Sequence, residues 1–140
     1  MSPEEGVTAI LVAEGAGVAA PSPGLWPIFE ATFPDQTNQC ILVKVTGGRQ
    51  PEVRIAIDYP SMQILIRSMP QNYIVARAKA EEIWQILQAI PSEPPAYPEL
   101  TSAVAVTQPI FVGYDEEDLP VWSVNFNLII SKPPEGHRDL

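Results

Sequence analysis

One cysteine, one histidine and eight basic residues are all that this chain of 140 residues holds of three side-chain classes on which much protein chemistry depends. A lone thiol, Cys40, excludes an intramolecular disulfide. The one histidine, His137, lies in a polar terminal stretch with no second titratable group that sequence places beside it, so general acid–base work has no held geometry. There is no Ser-His-Asp order, no phosphate-cradling glycine loop and no metal-ligand spacing. Basic residues are outnumbered 17 to 8 for a net charge of -9, so the surface as a whole repels phosphate and excludes an electrostatic nucleic-acid binder. No run approaches the roughly 18 apolar residues of a membrane span. The start, MSPEEGVTAILVAEGAGVAA, is acidic where a signal peptide is basic, so a short helix is expected there rather than an export signal. These absences predict a soluble protein of a reducing compartment, with no cofactor and no enzymatic activity.

What the chain does have is proline and periodicity. Its 16 prolines are about twice the usual ~5% share, and most fall between periodic segments, where they mark stiff connections. The length suits one domain, 1–140. The most informative stretch runs from Tyr59 to Ile90. Met62, Ile64 and Ile66 alternate with Gln63, Leu65 and Arg67, a strand rhythm. After Met69-Pro70, Tyr73, Ala76, Ala80, Ile83, Trp84, Leu87 and Ile90 recur at helical spacing, with Arg77, Glu81, Glu82, Gln85 and Gln88 on the other side.

Around that unit the sequence predicts a helix from Glu4 to about Glu14, with Ser2 as a cap and Gly15 and Gly17 as stops. A short strand is expected within Leu25 to Phe33, interrupted at Pro27. Cys40 to Val45 reads as a central strand buried on both faces, in which Cys40 is a small hydrophobe rather than a nucleophile. Gly47-Gly48 permits a tight reversal, so about 46–57 is expected to be a projecting loop or hairpin arm carrying Arg49 and Arg54. PSEPPAYPEL reads as a stiff linker over the surface. Strands are expected over Thr101 to Gln108 and Val121 to Ile130, the latter with Trp122, Val124, Phe126 and Leu128 on one face. PIFVGYDEEDLP separates them, and a polar tail follows over about 131–140. The fold class implied is α+β in two layers: a single, mostly antiparallel sheet with a short N-terminal helix and one long helix on one face.

With no chemistry available, the candidate functional residues are those that would touch another protein. Trp26 in its irregular segment is a candidate interface anchor, with Phe29 beside it. Gly47, Gly48, Arg49 and Arg54 form the arm. Arg77 and Glu81 lie on the outer helix face. Asp115, Glu116, Glu117 and Asp118 lack the spacing and interior glycine of a calcium loop and read as a solvated hairpin tip, or as a docking loop for a basic partner. Trp84 and Trp122, on apolar stripes, are expected in the core.

The word pattern itself resembles a known family. Tyr59-Pro60, Gln63-Ile64, Arg67, Tyr73, Ala76 and Lys79-Ala80-Glu81-Glu82-Ile83, followed by Gln108-Pro109, Phe111, Gly113, Asp115, Trp122, Val124, Asn125 and Phe126, are similar to the small tail terminator and minor capsid proteins of tailed bacteriophages. The similarity covers roughly residues 40 to 130, and departs at Asp118-Leu119-Pro120, where the family usually has a glycine and a basic residue. The resemblance implies a compact α/β fold and a structural role in the virion: a six-fold ring, assembled in the host bacterial cytoplasm, that caps the tail tube and meets the head connector. Its partners would be itself, the tube protein and neck proteins, with DNA only as cargo through the bore. An acidic lumen would keep the passing phosphates from sticking. The alternatives are another neck position (head closure or head completion) and a cellular adaptor that binds a peptide along its sheet edge.

Overall fold

A computed structural model describes residues 2–18, 26–30, 39–52, 57–91 and 93–131, with the side chains of 49–52 left aside. The first helix, α1 (Pro3–Ala13), starts where the sequence places it. Ser2 Oγ accepts a hydrogen bond from the Glu5 amide at 3.1 Å, and the Ser2 amide donates to Glu5 Oε1 at 2.9 Å, so two orphan amides of the first turn are satisfied reciprocally. These bonds from Ser2 hold the Glu5 carboxyl below its ordinary pKa. Gly15, at φ 77°, takes the left-handed conformation just past the helix end.

Among the described residues six strands form one sheet. They are β1 (Ile28–Glu30), β2 (Cys40–Glu52), β3 (Ile57–Arg67), β4 (Leu100–Ala105), β5 (Ile110–Tyr114) and β6 (Pro120–Ser131), in the order β1-β2-β3-β6-β4 with β5 also on β6. Only the β1–β2 pair is parallel; the others are antiparallel. The long helix α2 (Tyr73–Gln88) follows β3. The α+β class and the mostly antiparallel sheet are as the sequence predicts.

The register assigns each residue to a face. Ile66 lies beside both Ile41 and Trp122, Ile64 beside Val43 and Val124, and Met62 beside Val45 and Phe126. These rows form one core with Val7, Ile10 and Leu11 of α1 and Ala76, Ala80, Ile83 and Leu87 of α2, so both helices cover the same side. Residues one position out of phase point to the opposite face. There Gln63 donates to Ser123 Oγ at 3.1 Å, Asn125 donates to the same hydroxyl at 2.9 Å, and Ser61 donates to Asn127 Oδ1 at 2.9 Å. Toward Cys40, Leu42, Leu65 and Val121 this face is apolar; its polar part carries no carboxylate along the central strands β3 and β6 between Tyr59 and Arg67 and between Val121 and Ser131. Most of the described acids sit instead on or beside the helices, in the turn before β4 and at the tip between β5 and β6, with Glu30, Glu52 and Asp58 at strand ends.

Four expectations need correction. Gly47-Gly48 is not a reversal. β2 runs through both glycines and pairs with β3 as far as Glu52 opposite Ile57, with a register shift between Val45 and Gly47. The glycines are needed for backbone reasons: their φ values are 120° and 132°, and a Cβ on Gly48 would meet the Tyr59 carbonyl oxygen. The segment is thus the far end of the paired strands β2 and β3, and residues 53–56, with Arg54, lie outside the described residues. Second, the linker PSEPPAYPEL is pinned rather than laid over the surface: the Tyr97 side chain is fully buried, and its ring lies against Gly6 of α1, where any β-carbon would collide with it. Third, PIFVGYDEEDLP contains a strand, β5. Fourth, Trp84 is only half-buried, its Nε1 donating to the Thr107 carbonyl at 3.1 Å. Leu25, residues 31–33, the tail 132–140 and His137 also lie outside the described residues.

Tyr97 fixes how the proline-rich turn and α1 meet. Tyr97→Ala is therefore expected to lower stability by about 3–5 kcal/mol in chemical denaturation, as for other large buried rings. The Tyr97 hydroxyl has no hydrogen-bond partner among the described residues, so Tyr97→Phe should change stability by less than about 1 kcal/mol.

Candidate assembly surfaces

The predicted interface residues fall into separate regions. Trp26 is half-buried against the core, with the Lys79 ammonium 5.4 Å from its ring centroid. That ammonium also donates to the Ala16 carbonyl at 3.0 Å and pairs with Glu82 at 3.1 Å. Trp26 thereby ties the start of β1 to α2, and only part of its ring remains for a partner. Phe29 is half-buried in β1 opposite Leu42. Arg49 lies in β2 opposite Tyr59. Arg77 and Glu81 form an exposed i,i+4 pair at 3.3 Å, an arrangement of small energetic weight. The Arg77 guanidinium also lies 6.0 Å from the Trp122 ring centroid.

The acidic run divides by role. Asp115 is structural: its Oδ1 accepts from the amides of Glu117 and Leu119, both at 2.9 Å, and its Oδ2 lies 3.6 Å from the largely buried Arg67 guanidinium. The backbone closes the same turn, with Asp115 N–H to the Leu119 carbonyl at 3.0 Å and Asp118 N–H to the Asp115 carbonyl at 3.0 Å. Asp118 sits at φ 61°, a conformation aspartate tolerates better than most residues. Glu116, Glu117 and Asp118 are exposed. The chain therefore holds a rigid hairpin tip with three carboxylates outward, clamped to the end of β3 by an ion pair. Cys40 packs beside Arg67, and burial pushes its thiol up to about 11 although the guanidinium opposes the shift, so it is a protonated core residue.

The residues that sequence reasoning missed form the largest exposed apolar feature among the described residues. β4 and β5 lie end to end along one side of β6, joined by 106–109, and make one long edge. On it Val104, Val106, Ile110, Val112 and Tyr114 are 57%, 54%, 46%, 60% and 57% exposed. No charge occurs from Leu100 to Tyr114, although edge strands are commonly guarded by lysine or other charges. The guards present are Pro109 and a bulge between Phe111 and Gly113. Ala103 and Ala105 face the core beside Leu128 and Phe126, which sends the larger valines outward. At the β5 end, Phe111 packs on Tyr73 at 4.9 Å, on Tyr114 at 5.3 Å and on Trp122 at 5.5 Å between centroids. Exposed Met69, Ile74 and Val75 at the start of α2 extend the apolar surface from there. A half-open apolar groove of about 530 Å³ also lies between the ends of the two helices, lined by Ile10, Ala13, Ile86, Ala89 and Pro94.

Among the described residues no three His, Cys, Asp or Glu side chains converge on one point, and no helix is long and apolar enough to cross a membrane. What stands out is surface: a two-layer α+β domain with an uncharged apolar edge, a clamped acidic tip and a long β2–β3 pair, the build of a structural assembly subunit. The bacteriophage tail terminator protein family matches residues 11–132, and the chain belongs to that family. It is therefore a structural protein of the phage tail. A search of curated proteins finds no match to it.

The Asp115 clamp predicts that Asp115→Ala costs about 1–3 kcal/mol, the range for leaving buried partners of a charged acceptor unsatisfied. Chemical denaturation gives the cost, and amide exchange should show faster exchange at 116–119 with the central strands unchanged.

Proposed function

We propose that the chain is a tail terminator subunit whose copies, six in the reading implied by the family, close into a ring. The ring caps the completed tail tube and offers its other side to the head connector. The observation that carries this reading is the exposed, uncharged β4–β5 edge on a chain of this family. A ring closed by rotation needs two different complementary surfaces on each copy, and such an edge is a surface of the required kind. The Gly47–Glu52 end of the β2–β3 pair, the Arg77/Glu81 face of α2 and the tip Glu116, Glu117 and Asp118 are the further surfaces available to a neighbouring copy, the tube protein or a neck protein. Trp26 and Phe29 are secondary, because Trp26 is half-committed to the core and Phe29 is half-buried in β1.

In this role DNA is cargo, and the net charge of -9 supports passage without retention. Because the polar sheet face lacks carboxylates along its central strands, an acidic bore requires the helices or the acidic tip to turn inward. A bore lined by the sheet face would instead be amide-rich, with Lys44 as its cation beside Gln63.

Mixing the purified protein with polymerising tail-tube protein tests the reading. Tubes should stop at a fixed length and carry density for this protein at one end. Tubes that keep growing would exclude termination, and binding to a head-connector ring without any effect on the tube would instead support a head-closure position.

A further inference from the structure

Among the described residues the sheet has a second open margin. β1 covers β2 only from Ile41 to Val43, so from Lys44 to Glu52 the outer side of β2 has no strand partner among the described residues. Nine residues at about 3.3 Å each give a margin of roughly 30 Å. The opposite margin, β4 and β5, is of similar reach.

The directions of these two margins match. β2 is antiparallel to β3, β3 to β6, and β6 to both β4 and β5, so β4–β5 runs opposite to β2. When a second copy is placed by rotation beside the first, with its helices on the same side of the sheet, its β2 meets the first copy's β4–β5 in the antiparallel sense. The alternation of strand directions then continues across the boundary, and a parallel or face-flipped contact would break it. Hydrogen bonding between edges satisfies backbone groups on both chains, and alternate side chains add contact area. Val104 and Ile110, opposite Asn127 and Ser123, would lie on the polar sheet face at this boundary, where a neighbouring strand would shield them from water.

We propose that the partner of the β4–β5 edge is a second copy of this chain, which adds the Lys44–Glu52 side of β2 as the next antiparallel strand, so that the sheet runs unbroken around the ring. The proposal rests on the ring reading above and specifies its contact. It assigns Val104, Val106, Ile110 and Val112 to a boundary between copies rather than to the tube or the connector.

Val104→Asp and Val112→Asp, made separately, test it on tubes capped by the full-length protein. Both positions are exposed in one copy, so the variants should melt like the parent. A carboxylate trapped at the boundary without a partner should reduce ring occupancy at tube ends at least about tenfold. Variants that fold and cap tubes as well as the parent would overturn the edge contact while leaving the ring reading intact. A parent protein that never forms rings on tubes would overturn both. If the variants fail to fold, amide exchange on parent rings decides. Increased protection at 44–52 and at 101–114 on assembly supports the shared sheet, and protection confined to α2 overturns it.

Discussion

The structure depends on β6. Like β3 it is bonded on both sides along most of its length, and it alone among the described strands has three partners, β3 on one flank and β4 and β5 in succession on the other. Trp122, Val124, Phe126, Leu128 and Ile130 carry one of its faces into the core beneath α2. Slipping that strand by one residue would place Ser123, Asn125 and Asn127 under the helices, where their polar groups have no partners. Because β6 is twelve residues long and its two neighbours on the β4–β5 side are shorter, the chain must bridge 106–109 between them. The interrupted, apolar edge is thus a consequence of how β6 is covered.

Other features serve the same arrangement. Tyr97 draws the proline-rich turn against α1, which brings Leu100 into register with Ile130. Arg67, at the end of β3, holds Asp115 and with it the β5–β6 tip. The aromatic group of Tyr73, Phe111, Tyr114 and Trp122 joins the start of α2 to β5. Each of these contacts secures a margin of the sheet.

Much of this was readable from sequence, for stated physical reasons. Ser2 as a cap specified the start of α1, and the change of period after Arg67 located β3 and α2. The alternation in VWSVNFNLII assigned β6 to its correct face. Tyr97 was hidden because a run of prolines around one tyrosine has no period, and only α1, nearly ninety residues earlier, shows where that ring is buried. The β4–β5 edge was hidden for a different reason. In SAVAV every other position is alanine or valine, so hydrophobicity alone does not say which set faces inward; packing against Leu128 and Phe126 selects the alanines. Gly47-Gly48 misled because two glycines serve a bulge as well as a turn. The acidic run was visible, but the division between Asp115 as clamp and its three neighbours as surface required the partner Arg67.

The proposed ring joins neighbouring copies of this tail terminator family member through their sheet margins. A reconstruction of the phage neck at side-chain resolution tests it most directly. The account predicts a ring of copies of this domain seated on the last layer of the tail tube, with β4–β5 of each copy bonded to β2 of the next. Density for this domain beside the portal adaptor and away from the tube, or copies that touch only through their helices, would contradict it.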